Sequence, residues 1–175
     1  MRRIAESLLQ LARFDAGQEP IRRNTLDLAE NARVCVDHIG PLSKERDIKI
    51  HCDLRRAATS GDADRLDQLI TNLLTNAIHY NKPKGNIVVS THSENGDAVL
   101  KVADNGQGMA PEAVGHVFER FYRVDKSRSH IEGRSGLGLA ICKAIVDTHG
   151  GSINVSSEVG TGTTFIVRLP ALKAN

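Results

Sequence analysis

The chain has 175 residues, of which 40% are hydrophobic and 3% aromatic, enough for one ordinary core built mainly from aliphatic side chains. Its formal net charge of +2 gives no general attraction to nucleic acid or to a membrane surface. No apolar run approaches the ~18 residues of a membrane span. The three cysteines (Cys35, Cys52 and Cys142) share no metal-binding spacing, so they are expected to be reduced thiols in a cytosolic domain.

The first predicted element is an amphipathic helix over residues 2–16, which ends before Gly17 and Pro20. Its apolar residues recur at helical spacing: Ile4, Leu8, Leu11 and Phe14. A single helix cannot bury such a stripe alone. We therefore expect it to pack either on its own domain or on another chain, as part of a bundle or coiled coil.

Helices and strands are mixed in the remainder of the chain. Helices are predicted at 28–39, 64–80, 111–117 and 137–148. Strands are predicted at 48–54, 87–92, 98–103, 153–157 and 164–169. The helix at 28–39 ends at Gly40-Pro41, Asn95-Gly96 indicates a hairpin, and residues 122–135 form a charged loop. The pattern favours an α+β fold, a two-layer α/β sandwich in which a mostly antiparallel mixed sheet packs against helices.

Two asparagines interrupt the apolar pattern of the helix at 64–80. Asn72 and Asn76 are four residues apart, so their side chains share one face. Asparagine is a poor helix former, so both amides need partners. Their oxygens suit a hard cation such as Mg²⁺ that also carries phosphate oxygens. The alternative is that neighbouring backbone groups satisfy both amides.

The segment VADNGQGMAP, residues 102–111, places a carboxylate at a predicted strand end. Asp104 can accept a hydrogen bond from an exocyclic amine. Gly106 and Gly108 permit positive φ and close approach of a flat ligand, and Met109 offers a soft apolar surface to a ring. The alternative is an ordinary tight turn. A calcium loop is disfavoured because further oxygen ligands at regular spacing are absent.

Two more glycine-rich segments follow. Gly133, Gly136 and Gly138 lead directly into a helix, whose free N–H groups can bind phosphate. Their spacing fits neither the dinucleotide-binding fingerprint nor a Walker A loop. In GTGTTF, residues 160–165, Thr163 offers a hydroxyl within a turn that also reads as a simple hairpin.

Five motifs in this order and spacing resemble the ATP-binding domain of bacterial sensor histidine kinases. They read N-x-x-x-N-A, D-x-G-x-G, F-E-R-F-Y-R, G-L-G-L and G-T-G-T-x-F, and the likeness covers roughly residues 21–170. This is the Bergerat-type fold, shared with DNA gyrase, the large heat-shock chaperone and the mismatch-repair ATPase. The resemblance implies an ATP-binding catalytic domain at 18–175. Residues 1–17 resemble the end of the second helix of a dimerisation and phosphoacceptor region.

The resemblance also implies roles for individual residues. Asp104 would accept the adenine amino group with help from Thr163, and Asn76 would coordinate Mg²⁺ with Asn72 beside it. Residues 109–135 would form a lid. The residues implied for ATP are Asn72, Asn76, His79, Tyr80, Asp104, Gly106, Gly108, Met109, Arg123, Arg128, Gly136, Leu137, Gly138 and Thr163.

The implied activity is that of a protein histidine kinase with the cofactors ATP and Mg²⁺. Asn72, Arg123 and Arg128 would be its catalytic residues, acting by positioning and charge neutralisation. Gyrase-like relatives carry a water-activating glutamate at the position of Asn72, and an amide cannot act as that base. The family's usual lysine is His79 here, so a phosphate contact at that position would be weaker and pH-dependent.

None of the seven histidines lies in the family's phosphoacceptor motif, so the γ-phosphoryl is expected to pass to a histidine outside this chain. The implied partners are the phosphoacceptor domain of the same protein and a response regulator receiver domain, within a full-length homodimer and without nucleic acid. The implied location is the cytoplasmic side of the inner membrane, with anchoring only through segments before residue 1. A stand-alone ATPase and a nucleotide-sensing module of the same superfold are the alternatives.

Overall fold

The computed structural model describes residues 2–18, 20–124 and 135–172. Its elements, in chain order, are α1 (Arg2–Asp15), β1 (Asn24–Asp27), α2 (Leu28–Glu45), β2 (Lys49–Leu54), β3 (Ala58–Gly61), α3 (Ala63–His79), β4 (Asn86–Glu94), β5 (Asp97–Asp104), α4 (Pro111–Val114), α5 (Gly138–Thr148), β6 (Ser152–Glu158) and β7 (Gly162–Pro170). Across these ranges, every helix is too short or too polar to span a lipid bilayer.

Five strands form a mixed sheet in the order β2-β4-β5-β7-β6. All neighbours are antiparallel except β2 and β4, which run parallel. The predicted hairpin joins β4 to β5 through Asn95 and Gly96, whose φ angles of 52° and 86° are typical of a type I′ turn. The predicted fold class, with a mostly antiparallel mixed sheet, is confirmed.

The core lies between one face of this sheet and helices α2, α3 and α5. The α3 helix supplies a broad apolar face, and each of its core residues is at most 4% exposed: Leu66, Leu69, Ile70, Leu73, Leu74, Ala77 and Ile78. Alternate residues of the central strands meet this face, among them Val89, Leu100 and Val167. This packing holds the polar face of α3, which carries Asn72 and Asn76, away from the core.

The predicted end of α2 at Gly40-Pro41 is wrong, because the helix continues to Glu45 with Pro41 inside it. Proline removes one backbone hydrogen bond, but packing on both sides of it outweighs that loss. Ile39 and Ser43 are buried, and the Ser43 hydroxyl donates to the Gly40 carbonyl oxygen over 2.9 Å.

Two strands were not predicted. β1 and β3 pair antiparallel as a separate two-stranded sheet. Each has four residues, rich in Asn, Thr, Ser and Gly, which gives little alternation to detect. Their ends are joined by Asp27, whose carboxylate accepts from the N–H groups of Ala29 at the start of α2 and Ala57 before β3.

The N-terminal helix α1 packs on its own domain, against α3 and α5. Leu11 is 2% exposed, and the side-chain amides of Gln10 and Gln68 exchange hydrogen bonds of 2.8 and 3.0 Å. Asp15 pairs with Arg120 at 2.5 Å. Ile4 and Leu8 remain partly exposed. The first of the two predicted packing modes is therefore realised, while the domain boundary at residue 17 stays a prediction.

A buried histidine links α5 to the start of α3. His149 is 2% exposed; its Nε2 accepts from the Asp62 N–H over 3.0 Å and its Nδ1 bonds the Ile145 carbonyl oxygen over 2.7 Å. The Ile145 carbonyl can only accept, so Nδ1 carries a hydrogen and donates it. The Asp62 N–H can only donate, so Nε2 carries no hydrogen and the ring is neutral. Asp62 in turn caps α3 by accepting from the Arg65 N–H.

We expect the protein to lose stability as the pH falls below the ordinary histidine pKa of about 6.5. The pKa of His149 is lowered, mainly because the ring is buried. The charge of Arg23 lowers it further, while the Ile145 carbonyl and Asp62 act in the opposite direction. Because the folded pKa lies below the unfolded one, the unfolded chain binds the extra proton and unfolding becomes favoured in that window. Urea unfolding at pH 8 and at successively lower pH would measure this loss.

The matched variants are His149→Leu and His51→Ala, the latter on the exposed β2 strand. His149→Leu should cost about 1–3 kcal/mol at pH 8 for two lost hydrogen bonds and should flatten the acid dependence. His51→Ala should leave that dependence in place. An unchanged acid slope in His149→Leu would contradict this assignment.

Candidate functional site

A cavity of about 510 Å³ lies beside the polar face of α3. Asn72 and Asn76 both line it, as the spacing of four residues predicts. Its other walls come from α1, from the segment after α4 and from the start of α5. This volume is in the range of small-molecule sites.

The side chain of Asn72 has a defined orientation. Its Nδ2 donates to the Gly138 carbonyl oxygen over 3.3 Å, which fixes Nδ2 on the α5 side. The Cys142 sulfur, one turn further along α5, also hydrogen-bonds this side chain. Burial raises the pKa of the Cys142 thiol to about 12, so it stays protonated and contacts the Leu69 carbonyl oxygen. Asn72 therefore keeps Oδ1 as its acceptor.

The predicted residues at the end of α3, and Arg123 of the predicted lid, lie on the same cavity. His79 and Tyr80, at the end of α3, line it together with Arg123 and Gly136. The Nδ1 atom of His79 is buried in this wall. Arg128 and Gly133 lie outside the described residues, together with the rest of residues 125–134 of the predicted lid.

Leu137 contributes differently from its glycine neighbours. Its side chain is fully buried and belongs to the hydrophobic core. Only backbone groups of Leu137 are therefore available to a ligand at the start of α5. Gly138, by contrast, lines the cavity.

Asp104 lies at the end of β5, directly opposite Thr163 of β7. Its Oδ1 accepts from the Gly106 N–H over 2.8 Å. Burial raises the pKa of Asp104, while the backbone N–H groups of Gly106 and Thr163 lower it. The carboxylate is thus half-buried and held in place by backbone donors, with an acceptor available to a ligand.

The glycines after Asp104 pack against the protein's own backbone. A Cβ on Gly106 would lie 2.3 Å from the Tyr80 carbonyl oxygen. A Cβ on Gly108, whose φ is +65°, would lie 1.8 Å from the Glu158 carbonyl oxygen. These contacts require bare backbone before any ligand is considered. They bring the segment after β5 against α3 and against β6.

The predicted residues therefore fall into two adjoining groups. One group lines the cavity: Asn72, Asn76, His79, Tyr80, Arg123, Gly136 and Gly138. The other lies where β5 and β6 end and β7 begins, outside the lining of that cavity: Asp104, Gly106, Gly108, Met109 and Thr163. Tyr80 joins them, because its carbonyl oxygen accepts from the Gln107 N–H over 3.0 Å.

The sequence patterns do not predict two parts of the candidate site. Glu6, Ser7 and Gln10 of α1 form part of the cavity wall. The helical stripe of α1 predicted a docked helix but not where it docks. Ser157 of β6 also went unnoticed, although its Oγ accepts from the Met109 N–H over 2.9 Å. A single serine in a strand gives no signal of that contact.

The fold places amides on one helix beside a half-buried carboxylate at a strand end, and comparison with known proteins gives the class of domain. Residues 61–173 match the family described as histidine kinase-, DNA gyrase B-, and HSP90-like ATPase. The chain belongs to this family, as the sequence motifs predict.

Similar proteins are sensor kinases. The sensor protein SrrB of Staphylococcus aureus is 38% identical over 173 residues, which cover 97% of this chain and 29% of SrrB. The chain thus spans about 29% of the length of these curated relatives. Among solved structures, the mycobacterial sensor histidine kinase MprB has a TM-score of 0.74 at 28% identity, over 87% of this chain and 100% of that one. Full-length ShkA, in complex with AMPPNP, has a TM-score of 0.83 at 27% identity, over 96% and 35% respectively. These findings confirm the predicted class, the catalytic ATP-binding domain of a sensor histidine kinase.

Proposed function

We propose that this domain binds Mg-ATP and transfers its γ-phosphoryl group to a histidine outside residues 1–175, in two-component signal transduction. One observation carries the proposal: two amides of α3 and Arg123 meet on one cavity that adjoins the half-buried carboxylate of Asp104. Family membership and the AMPPNP complex of the similar ShkA support nucleotide binding by this domain.

In this proposal the two groups of residues hold opposite ends of the nucleotide. Asp104 and Thr163 accept the exocyclic amine of adenine, with Met109 and Tyr80 beside the ring. The triphosphate extends along α3 towards the start of α5, where backbone N–H groups of residues 136–138 and Arg123 donate to phosphate oxygens. Arg128 is proposed as a second phosphate contact from the lid.

The donor set fits Mg²⁺. Amide oxygens are hard, neutral ligands, and Mg²⁺ commonly combines one or two protein oxygens with water and substrate phosphates. Asn76 would hold the ion through its Oδ1, with Asn72 adjacent. Bound there, the ion would neutralise phosphate charge.

The residues favour phosphoryl transfer over hydrolysis. The Nδ2 of Asn72 donates to the Gly138 carbonyl oxygen, which leaves its amide oxygen for the ligand. An amide oxygen cannot take a proton from water. Positioning by Asn72 and charge neutralisation by Arg123 remain, and these suit transfer to an imidazole that is already nucleophilic. We further propose that the partners are the phosphoacceptor region of the same protein, dimeric when full-length, and a response regulator receiver domain. The domain would work on the cytoplasmic side of the inner membrane.

Calorimetric titration with ADP, with and without Mg²⁺, tests the metal assignment. We expect Mg²⁺ to strengthen ADP binding, and Asn76→Ala to remove roughly tenfold of that gain, the factor for about 1.4 kcal/mol of lost coordination. In a longer form that includes the phosphoacceptor helices, the same variant should lose formation of acid-labile phosphohistidine.

Asn154→Ala serves as the control, because this asparagine is exposed on β6, on the sheet face opposite the helices. It should bind Mg-ADP like the unmodified chain. If Asn76→Ala kept the full Mg²⁺ enhancement, the ion would not bind where we propose. Rapid ATP turnover by residues 1–175 alone would favour a stand-alone ATPase instead.

A further inference from the structure

Ser157 sits in a row of polar side chains that crosses three neighbouring strands. Asp104 of β5 is paired with Thr163 of β7, and Thr163 is paired with Ser157 of β6. Directly paired residues point to the same face of a sheet. Thr163 is 9% exposed, so little of its side chain is open to solvent.

The Ser157 hydroxyl makes three hydrogen bonds. Its Oγ accepts from the Met109 N–H over 2.9 Å, contacts the Gly162 carbonyl oxygen at 2.9 Å and contacts the Thr163 Oγ1 at 2.8 Å. A hydroxyl has one hydrogen and two acceptor lone pairs. The carbonyl can only accept, so the one hydrogen of Ser157 goes to Gly162. The Thr163 hydroxyl must then donate to Ser157.

This assignment fixes the polarity of Thr163. With its only hydrogen directed at Ser157, Thr163 Oγ1 offers lone pairs and no donor to any other group. Asp104 beside it, a carboxylate when ionised, likewise offers only acceptors. A base with an exocyclic amine matches two acceptors, whereas a base with a carbonyl at the same position places an oxygen against them.

We propose that Ser157 is a specificity-determining residue, which holds the Thr163 hydroxyl as an acceptor and so selects nucleotides with an exocyclic amine over those with a carbonyl group. The inference rests on the proposed nucleotide function and deepens it. Ser157 touches no base; it acts through Thr163. Its removal should therefore change the choice between bases more than the strength of binding in general.

The test compares ADP with inosine diphosphate, which carries a carbonyl oxygen in place of the amine. In Ser157→Ala the Thr163 hydroxyl can turn and donate to that oxygen. Calorimetry gives the dissociation constant of inosine diphosphate divided by that of ADP. We expect this ratio to fall about tenfold in Ser157→Ala, which is the factor that one neutral hydrogen bond is worth. Ser157→Thr, which keeps a hydroxyl, should retain the original ratio.

Two further variants separate selection from loosening of the site. Thr163→Val has no hydroxyl to reorient, so it should weaken ADP binding without strengthening that of inosine diphosphate. Ser156→Ala, exposed on the opposite face of β6, should change neither nucleotide. Selective ADP binding with an unchanged ratio in Ser157→Ala would overturn this inference alone. Failure of the unmodified chain to bind ADP would overturn the proposed function with it.

Discussion

Replacement of Asp104 by asparagine is expected to weaken ADP binding about 100-fold, the loss of one hydrogen bond to a charged group. The Gly106 N–H, 2.8 Å from Oδ1, requires an oxygen at that position. An asparagine would therefore keep its oxygen at Gly106 and turn its NH₂ group towards the base. A donor would then face the donor of the adenine amine.

This variant should fold normally, because asparagine preserves both the shape of the side chain and the bond to Gly106. Asp97→Asn, at the opposite end of the same strand, is the matched control and should bind ADP normally. Calorimetric titration measures both variants, and a urea unfolding curve checks that they are equally folded. An unchanged ADP affinity in Asp104→Asn would mean that the carboxylate does not contact the base.

Gly108→Ala is expected to destabilise the fold by about 3 kcal/mol or more and to abolish nucleotide binding. The added methyl group would lie 1.8 Å from the Glu158 carbonyl oxygen, and residue 108 has a φ of +65°. The nearest atoms belong to the backbone of Glu158 and Val159, so no flexible side chain can move aside. The cost of overpacking therefore adds to the strain of a left-handed backbone at alanine. The segment after β5 would have to separate from β6 and would displace Asp104.

Gly115→Ala is the matched control, since that glycine follows α4 with a φ of −66° and has open space around its Cβ position. It should be neutral or slightly stabilising. Urea unfolding of both variants gives the comparison. Equal stability of the two would show that the close approach at Gly108 is not a constraint on the fold.

Sequence predicted the elements whose patterns are long and regular. Seven apolar positions of α3 recur at helical spacing, and Asn95-Gly96 marks the β4–β5 hairpin, so both were found with small errors at the ends. Local sequence patterns gave the wrong structure where contacts between distant parts of the chain determine it. Pro41 favours a helix end, yet burial of Ile39 and Ser43 carries α2 past it. The parallel pairing of β2 with β4 leaves no mark in either strand.

The candidate site also has features that the sequence predicts and features that depend on the assembled fold. The shared face of Asn72 and Asn76 follows from a spacing of four, and the position of Asp104 follows from the strand before it. Contacts across long stretches of chain could not be predicted. Examples are the Gln10–Gln68 pair that places α1 at the cavity and the bond from Asn72 to Gly138. Side-chain pairing over 58 or 66 residues depends on the assembled fold, not on any local period.

A crystal structure of residues 1–175 grown with saturating Mg-ADP would locate both the base and the metal ion. We expect the adenine amine within hydrogen-bonding distance of Asp104 and Thr163, and a divalent ion bound by Asn76 Oδ1 and the phosphates. A base bound elsewhere, or no nucleotide between α3, the end of β5 and the start of β7, would contradict the proposed function.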